Sequence, residues 1–246
     1  MGIPAFHWWR TVFFLIPAIG LYTIVAGTVS LTSTLFRGSR LAHRCMQWWS
    51  WGILATTGVT VSPSGIERVP PKRSYVFVSN HSSFYDIPVI YWHVPFDMRI
   101  IAKASLGAFP FIGWHLRRAG HVLVQRDNPG ASAFAQVKTL MAGGHSLIVF
   151  PEGTRSRDGH VATFKGGSFV PAVQTGIPIV PLSVIGSRHV MTKGELTTRP
   201  GDVRLIVHPP IVTAAVLEPT PDDLRALAAR VREIVRVEVD AEADAG

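Results

Sequence analysis

A single cysteine, Cys45, stands among 246 residues, which excludes a disulfide framework and a zinc site built from thiolates. Charge is scarce as well: Asp, Glu, Lys and Arg make up 16% of the chain against 47% apolar residues, a greasier balance than that of an ordinary soluble domain. No Gly-x-Ser-x-Gly elbow occurs, so a hydrolase-type serine nucleophile has no seat. Neither an internal repeat nor a low-complexity linker breaks the chain. The first nine residues hold no Lys or Arg, no small-x-small cleavage site closes the apolar run that follows, and Phe6 stands where a myristoylation signal has Ser or Thr. A secretory leader and an N-terminal acyl anchor are therefore not expected.

What is present begins with a basic body. Residues 218–246 hold half of the 16 acids but only four of the 24 basic residues, so the remaining 217 residues carry +12. Such a body draws anions, whether phosphate esters, lipid headgroups or nucleic acid. The basic residues lack the aromatic interleaving of a nucleic-acid module and accompany apolar segments, which disfavours nucleic acid. Residues 11–36 carry no charge and follow Trp8 and Trp9; about 20 apolar residues suffice to cross a bilayer, and tryptophan marks its interface. Arg37, Arg40, His43 and Arg44 come next, then a second uncharged run over 45–61 with Trp48, Trp49 and Trp51. Residues 1–61 read as a membrane-inserted helical hairpin, with a single span over 11–36, or a buried helical pair of a soluble core, as competitors. Pro17, Gly20, Gly27 and the Thr-rich 56–60 weaken two complete spans.

A chain of this length buries one substantial core, and beyond residue 61 strands alternate with helices. Strands are expected at 74–79, 98–102, 121–125, 146–150, 176–184 and 203–208, the last at an edge because Pro209 and Pro210 end it. Helices are expected at 131–142, up to Thr175, and from Pro221, where Thr220 caps a helix with Leu224, Leu227, Val231 and Val235 on one face. The apolar piece 103–114 reads as core by default, or as the wall of an acyl-chain channel. The expectation is an α/β domain over 62–239 with a mostly parallel or mixed central sheet flanked by helices, followed by a disordered acidic tail at 240–246.

In such sheets sites gather at the carboxyl ends of strands. The first expected strand ends in Asn80-His81-Ser82-Ser83-Phe84-Tyr85-Asp86. A turn there can fold the Asp86 carboxylate onto the Nδ1 proton of His81, leaving Nε2 to take a proton from a hydroxyl. The plainer alternative is a surface or satisfied core histidine and an aspartate that only caps the helix entered at Pro88. Another strand delivers Arg126, and the strand 146–150 ends in Pro151-Glu152-Gly153-Thr154-Arg155-Ser156. Arg155 offers a forked donor to phosphate, Gly153 lets backbone approach, and Glu152 can accept from a glycerol-like hydroxyl. Two ligands, His81 and Asp86, without a third of suitable spacing argue against a metal site.

Together these blocks resemble the membrane-associated glycerolipid acyltransferases, the family that includes 1-acylglycerol-3-phosphate acyltransferase. Asn80, His81, Ser83 and Asp86 match its Asn-His-x-Ser-x-x-Asp block. Gly120 and Arg126 match the second block, with Gln125 in place of the usual Asp. Residues 150–156 match Phe-Pro-Glu-Gly-Thr-Arg-Ser completely, and 177–181 match the apolar strand with two prolines. The resemblance implies transfer of an acyl chain from acyl-CoA or acyl-carrier protein to the free hydroxyl of lysophosphatidic acid, with no further cofactor and no covalent intermediate. His81 is then the general base, Asp86 its orienter, and Arg126, Glu152, Gly153, Thr154 and Arg155 hold phosphate and glycerol. It also implies a cell-membrane location on the cytoplasmic face, anchored by the N-terminal helices among membrane phospholipids. Glycerol 3-phosphate or another lysophospholipid as acceptor, a non-catalytic lipid-phosphate binding module and a hydrolase remain as alternatives. Ser82, where Gln is common, and Gln125 mark the departures.

Overall fold

The computed structural model describes residues 5–36, 39–71, 73–124 and 130–244. Its organising element is a seven-stranded mixed sheet of order β1-β7-β6-β2-β5-β3-β4, built from β1 Val59–Ser64, β2 Val76–Ser79, β3 Met98–Lys103, β4 Val122–Val124, β5 Ser146–Val149, β6 Ile179–Ile185 and β7 Gly201–Val207. β6, β2, β5, β3 and β4 run parallel, and only the β6–β7 pairing is antiparallel. β2, β5 and β6 are buried along their whole length, as continuous apolar runs covered on both faces should be.

Two apolar layers cover the sheet. On one face lie α3 (Ser39–Thr57) and α4 (Asp86–His93), whose Ile53, Leu54, Val89, Ile90 and Tyr91 meet Phe77, Ile148 and Leu182. On the other lie α6 (Gly130–Ala142), α7 (Val170–Thr175) and α9 (Pro221–Ala243). There Ala228, Val231, Val235 and Val239 pack on Val76, Val78, Leu147 and Val149. The alternation of β2 side chains, Phe77 to one layer and Val76 and Val78 to the other, is the period-two rule of a strand.

The N-terminal chain is helical through α1 (Ala5–Arg10), a π-helical turn at Thr11–Leu15, and α2 (Ile16–Phe36). Phe6–Thr32 is long and apolar enough to cross a membrane, with mean hydropathy 2.1 and only 11% of its best window buried. α3 differs. Ala42, Cys45, Ser50, Ile53, Leu54 and Thr57 are buried, while Trp48 and Trp51 face outward. The two helices expected to act as one hairpin thus have different surroundings: α3 closes the core and α2 packs on it from outside.

Four further expectations are corrected. β1, which opens inside the segment assigned to the hairpin, pairs with β7, so β7 is not the edge strand that Pro209 suggested. α9 continues to Ala243 where a disordered tail was expected over 240–246, of which 245–246 lie outside the described residues; the Asp240 carboxylate faces Arg236 one turn back on the helix and accepts the Val161 amide at 2.9 Å, a contact invisible in an acidic stretch of sequence. The piece 103–114 is not plain core, since Phe109, Ile112 and Trp114 are exposed beside α5 (Ile112–Arg118). Asp86 begins α4 rather than capping it, and three of the groups that donate to it, on His81, Ser82 and Ser83, lie in the loop before the helix.

Candidate active site

The sheet order brings the key loops together. β6, β2 and β5 are parallel neighbours, so the chain leaves all three on the same side, at Gly186, Asn80 and Phe150. Asn80 joins two of these ends through its side chain: Oδ1 accepts the Val184 amide and the amide nitrogen donates to the Val184 carbonyl, both at 2.8 Å.

The loop after β2 wraps around one carboxylate. Asp86 is wholly buried. Its Oδ2 accepts the Ser82 amide at 2.8 Å, the Ser83 amide at 3.0 Å and the Nδ1–H of His81 at 2.8 Å. An ionised carboxylate only accepts, so the proton of this pair lies on Nδ1 and Nε2 keeps its lone pair. Nε2 has no hydrogen-bond partner among the described residues. The Phe150 ring lies 4.3 Å from the imidazole, centroid to centroid, and limits how it can turn.

The loop after β5 is tied to the first by two bonds: Glu152 Oε1 accepts the His81 amide, and the Ser156 amide donates to the His81 carbonyl, both at 2.7 Å. Glu152 Oε2 accepts the Ala162 amide at 3.1 Å. Burial lifts the Glu152 carboxyl to about 7, against the lowering effect of those two amides. Each of its oxygens is therefore engaged with backbone, which makes Glu152 a brace of the His81 loop where the sequence suggested a contact to an acceptor hydroxyl. Gly153 has φ +75°, a backbone conformation that favours glycine, whereas a Cβ there would meet only the flexible end of Lys165, at 3.1 Å from Nζ. Thr154 is exposed and its hydroxyl accepts from Lys193 Nζ at 3.1 Å. Lys193 also donates to the Arg155 carbonyl at 2.6 Å. The Arg155 guanidinium sits 4.0 Å above the centre of the exposed Phe84 ring.

His81, Asp86, Glu152, Gly153, Thr154 and Arg155 are thus brought together. Arg126 and Gln125 lie outside the described residues. The strand before them, β4, is three neighbours from β2, about 14 Å at the usual strand spacing. Ser187, Lys193 and Phe84 were missed from sequence. Ser187 follows a strand and a glycine, a signal that the strand-end rule could have used; Lys193 sits in a loop with no local signature.

Residues 60–185 match the model of the acyltransferase family. A 1-acyl-sn-glycerol-3-phosphate acyltransferase of Chlamydomonas reinhardtii is 37% identical over 142 residues, 56% of this chain and 42% of the relative. The human 1-acyl-sn-glycerol-3-phosphate acyltransferase alpha is 35% identical over 178 residues, 71% of this chain and 62% of the relative. The chain thus matches less than half the length of the algal relative. The crystal structure of the 1-acyl-sn-glycerophosphate acyltransferase PlsC from Thermotoga maritima superposes with a TM-score of 0.79 at 29% identity, covering 96% of each chain.

Proposed function

The chain belongs to the acyltransferase family, and from that premise we propose that it transfers a fatty acyl group from a thioester, acyl-CoA or acyl-carrier protein, to the free hydroxyl of lysophosphatidic acid, giving phosphatidic acid. The observation that carries this reading is the His81 imidazole, fixed at 2.8 Å on a buried carboxylate with Nε2 left open, beside a loop that presents Arg155. Nε2 takes the hydroxyl proton as the acceptor oxygen forms its bond to the thioester carbonyl carbon. The tetrahedral oxyanion then collapses, the carbon–sulfur bond breaks, and the imidazolium returns the proton to the departing thiolate. Asp86 stabilises the imidazolium in between. Attack is direct, because Cys45 is buried in α3 and no serine elbow exists. Arg155 holds the acceptor phosphate with its forked donors, and Arg126 is a second phosphate ligand in this reading.

The acceptor is a lipid, and the exposed apolar surface of α2 supports a membrane seat at the cytoplasmic leaflet, with Arg44 toward the headgroups. Purified protein given labelled acyl-CoA and lysophosphatidic acid should form phosphatidic acid, and His81→Ala should lower the rate by about 10²–10⁴-fold. A His81→Ala protein working at the wild-type rate would falsify the mechanism. Glycerol 3-phosphate and other lysophospholipids in the same assay define the acceptor; free fatty acid as product would point to hydrolysis, and lysolipid binding without turnover to a binding module.

A further inference from the structure

Of the four hydrogen bonds that described residues make to Asp86, one comes from outside the His81 loop. Ser187 begins a four-residue helix, α8 (Ser187–Val190), directly after β6. It is wholly buried, and its hydroxyl donates to Asp86 Oδ1 at 2.5 Å. Ser82 Oγ lies 2.9 Å from Ser187 Oγ. A serine hydroxyl has one proton, and that of Ser187 is committed to a carboxylate that can only accept. The proton between the two serines therefore belongs to Ser82, and the chain of donation runs from Ser82 to Ser187 to Asp86. This chain serves the oxygen that His81 does not touch.

Backbone geometry aims Ser187. Gly186 has φ +88°, and a Cβ on it would lie 2.5 Å from the Asp202 carbonyl oxygen. Only glycine lets β6 end so abruptly against β7 and turn Ser187 under the catalytic loop. The Asn80 clasp on Val184, three residues earlier, fixes the height of β6 against β2. Sequence places these residues about a hundred positions apart, and the parallel β2–β6 pairing makes them neighbours.

We propose that Ser187, relayed from Ser82, is a positioning residue for the reaction: it fixes the rotation of the Asp86 carboxylate so that Oδ2 stays on His81 Nδ1. Without it Oδ1 is a buried charged oxygen with no donor, and the rotation of the carboxylate is held from the Oδ2 side alone, by the Ser82 and Ser83 amides and His81 itself. The inference rests on the acyl-transfer reading for its kinetic arm, and a second arm is independent of turnover.

In the kinetic arm, Ser187→Ala should lower kcat about 10–100-fold, the factor attached to one hydrogen bond on a charged group, with KM for lysophosphatidic acid within about twofold of wild type. Thr and Val have the same bulk and differ by a hydroxyl. Ser187→Thr should recover activity relative to Ser187→Val, which separates the hydroxyl from packing in a tight site. In an Asp86→Asn background, Ser187→Ala should cost little more, because a residue acting through Asp86 has nothing left to act on. In the second arm, the low-field proton signal of His81 Nδ1–H, identified by its loss in His81→Gln, should shift or be lost to solvent exchange in Ser187→Ala and Ser187→Val and persist in Ser187→Thr. An unchanged Nδ1–H signal in folded Ser187→Ala and Ser187→Val overturns the proposal whether or not the wild type transfers acyl chains. Equal kcat in the Thr and Val variants of an active enzyme overturns it as well. If the signal responds while no acyl transfer is found, the acyl-transfer reading fails and the positioning role stands.

Discussion

At the scale of single residues, two buried groups give the protein opposing pH responses. Burial lifts Glu152 from 4.5 to about 7, so the folded chain keeps a proton that the unfolded chain releases; that contribution is full below about 4.5 and is lost as pH rises to 7. Burial first, and Arg99 second, depress His115 from 6.5 to about 4. Its ring, bonded through Nδ1 to Ser30 Oγ at 2.7 Å, stays neutral while an unfolded one protonates, so its contribution is present above 6.5 and is lost as pH falls toward 4. The two slopes oppose each other between about 4.5 and 6.5, and removing one exposes the other. The stability difference between wild type and His115→Gln should shrink by up to about 3 kcal/mol as pH falls from 7 to 4; denaturant melts at several pH values read this, and a constant difference would contradict it. Phe84 acts on Arg155 at the same scale. An exposed cation–π contact contributes about 0.5–1 kcal/mol, so Phe84→Ala should raise KM for the lysolipid about two- to fivefold with little change in kcat, and Phe84→Tyr should restore it. The His81–Asp86 contact could be anticipated from their positions five apart in one loop, while the candidate roles of the other motif residues came from the family resemblance and not from spacing. The work of Glu152 was not: its partners are backbone amides at positions 81 and 162, and nothing in a Glu-Gly-Thr-Arg string reveals them.

At the scale of elements, the site depends on where three strands stop. Gly186→Ala puts a Cβ at positive φ against the Asp202 carbonyl, combining backbone strain with an overlap that the rigid sheet cannot relieve. We expect a loss of about 1–3 kcal/mol in stability together with a fall in kcat, since Ser187 moves with the turn. A thermal melt beside the acyl-transfer assay checks both, and unchanged kcat would mean that α8 does not depend on this turn. Helix and strand existence followed from apolar runs and punctuation, and α9 was placed with its cap: Thr220 accepts the Asp223 amide at 3.1 Å. Its far end was missed because Asp240 gains the Val161 amide only when the loop after β5 folds under it; the Arg236 pair, four residues back on the same helix, is local and was within reach of the sequence. β1 was missed because Val59–Ser64 carries a proline and three exposed residues in a row, a weak strand pattern that becomes a strand by pairing with β7.

At the scale of the molecule, the two N-terminal helices present different surfaces. Phe13, Phe14 and Leu21 are each more than half exposed, whereas Ile53 and Leu54 are part of the core. Lysine at Phe13, Phe14 and Leu21 together should weaken sedimentation with phospholipid vesicles at least tenfold while leaving the far-ultraviolet circular dichroism unchanged. Persistent tight binding by that folded variant would remove α2 as the main membrane contact. Ile53→Asp, a few turns along on α3, should instead unfold the domain, because it buries an unpaired charge. Truncating the whole N-terminal segment would confuse the two effects, and a cut at residue 61 would also remove half of β1.

By itself the sequence determined the class of fold, the pairing of His81 with Asp86, the family blocks and the apolar character of the N-terminal chain, since each is written in local spacing or composition. Tertiary structure alone decided which apolar helix closes the core, which strand lies at the edge, what Glu152 braces and that Ser187 reaches Asp86. Those facts depend on strand order: β6, β2 and β5 become neighbours only when the sheet assembles, and no local pattern encodes contacts between residues a hundred positions apart.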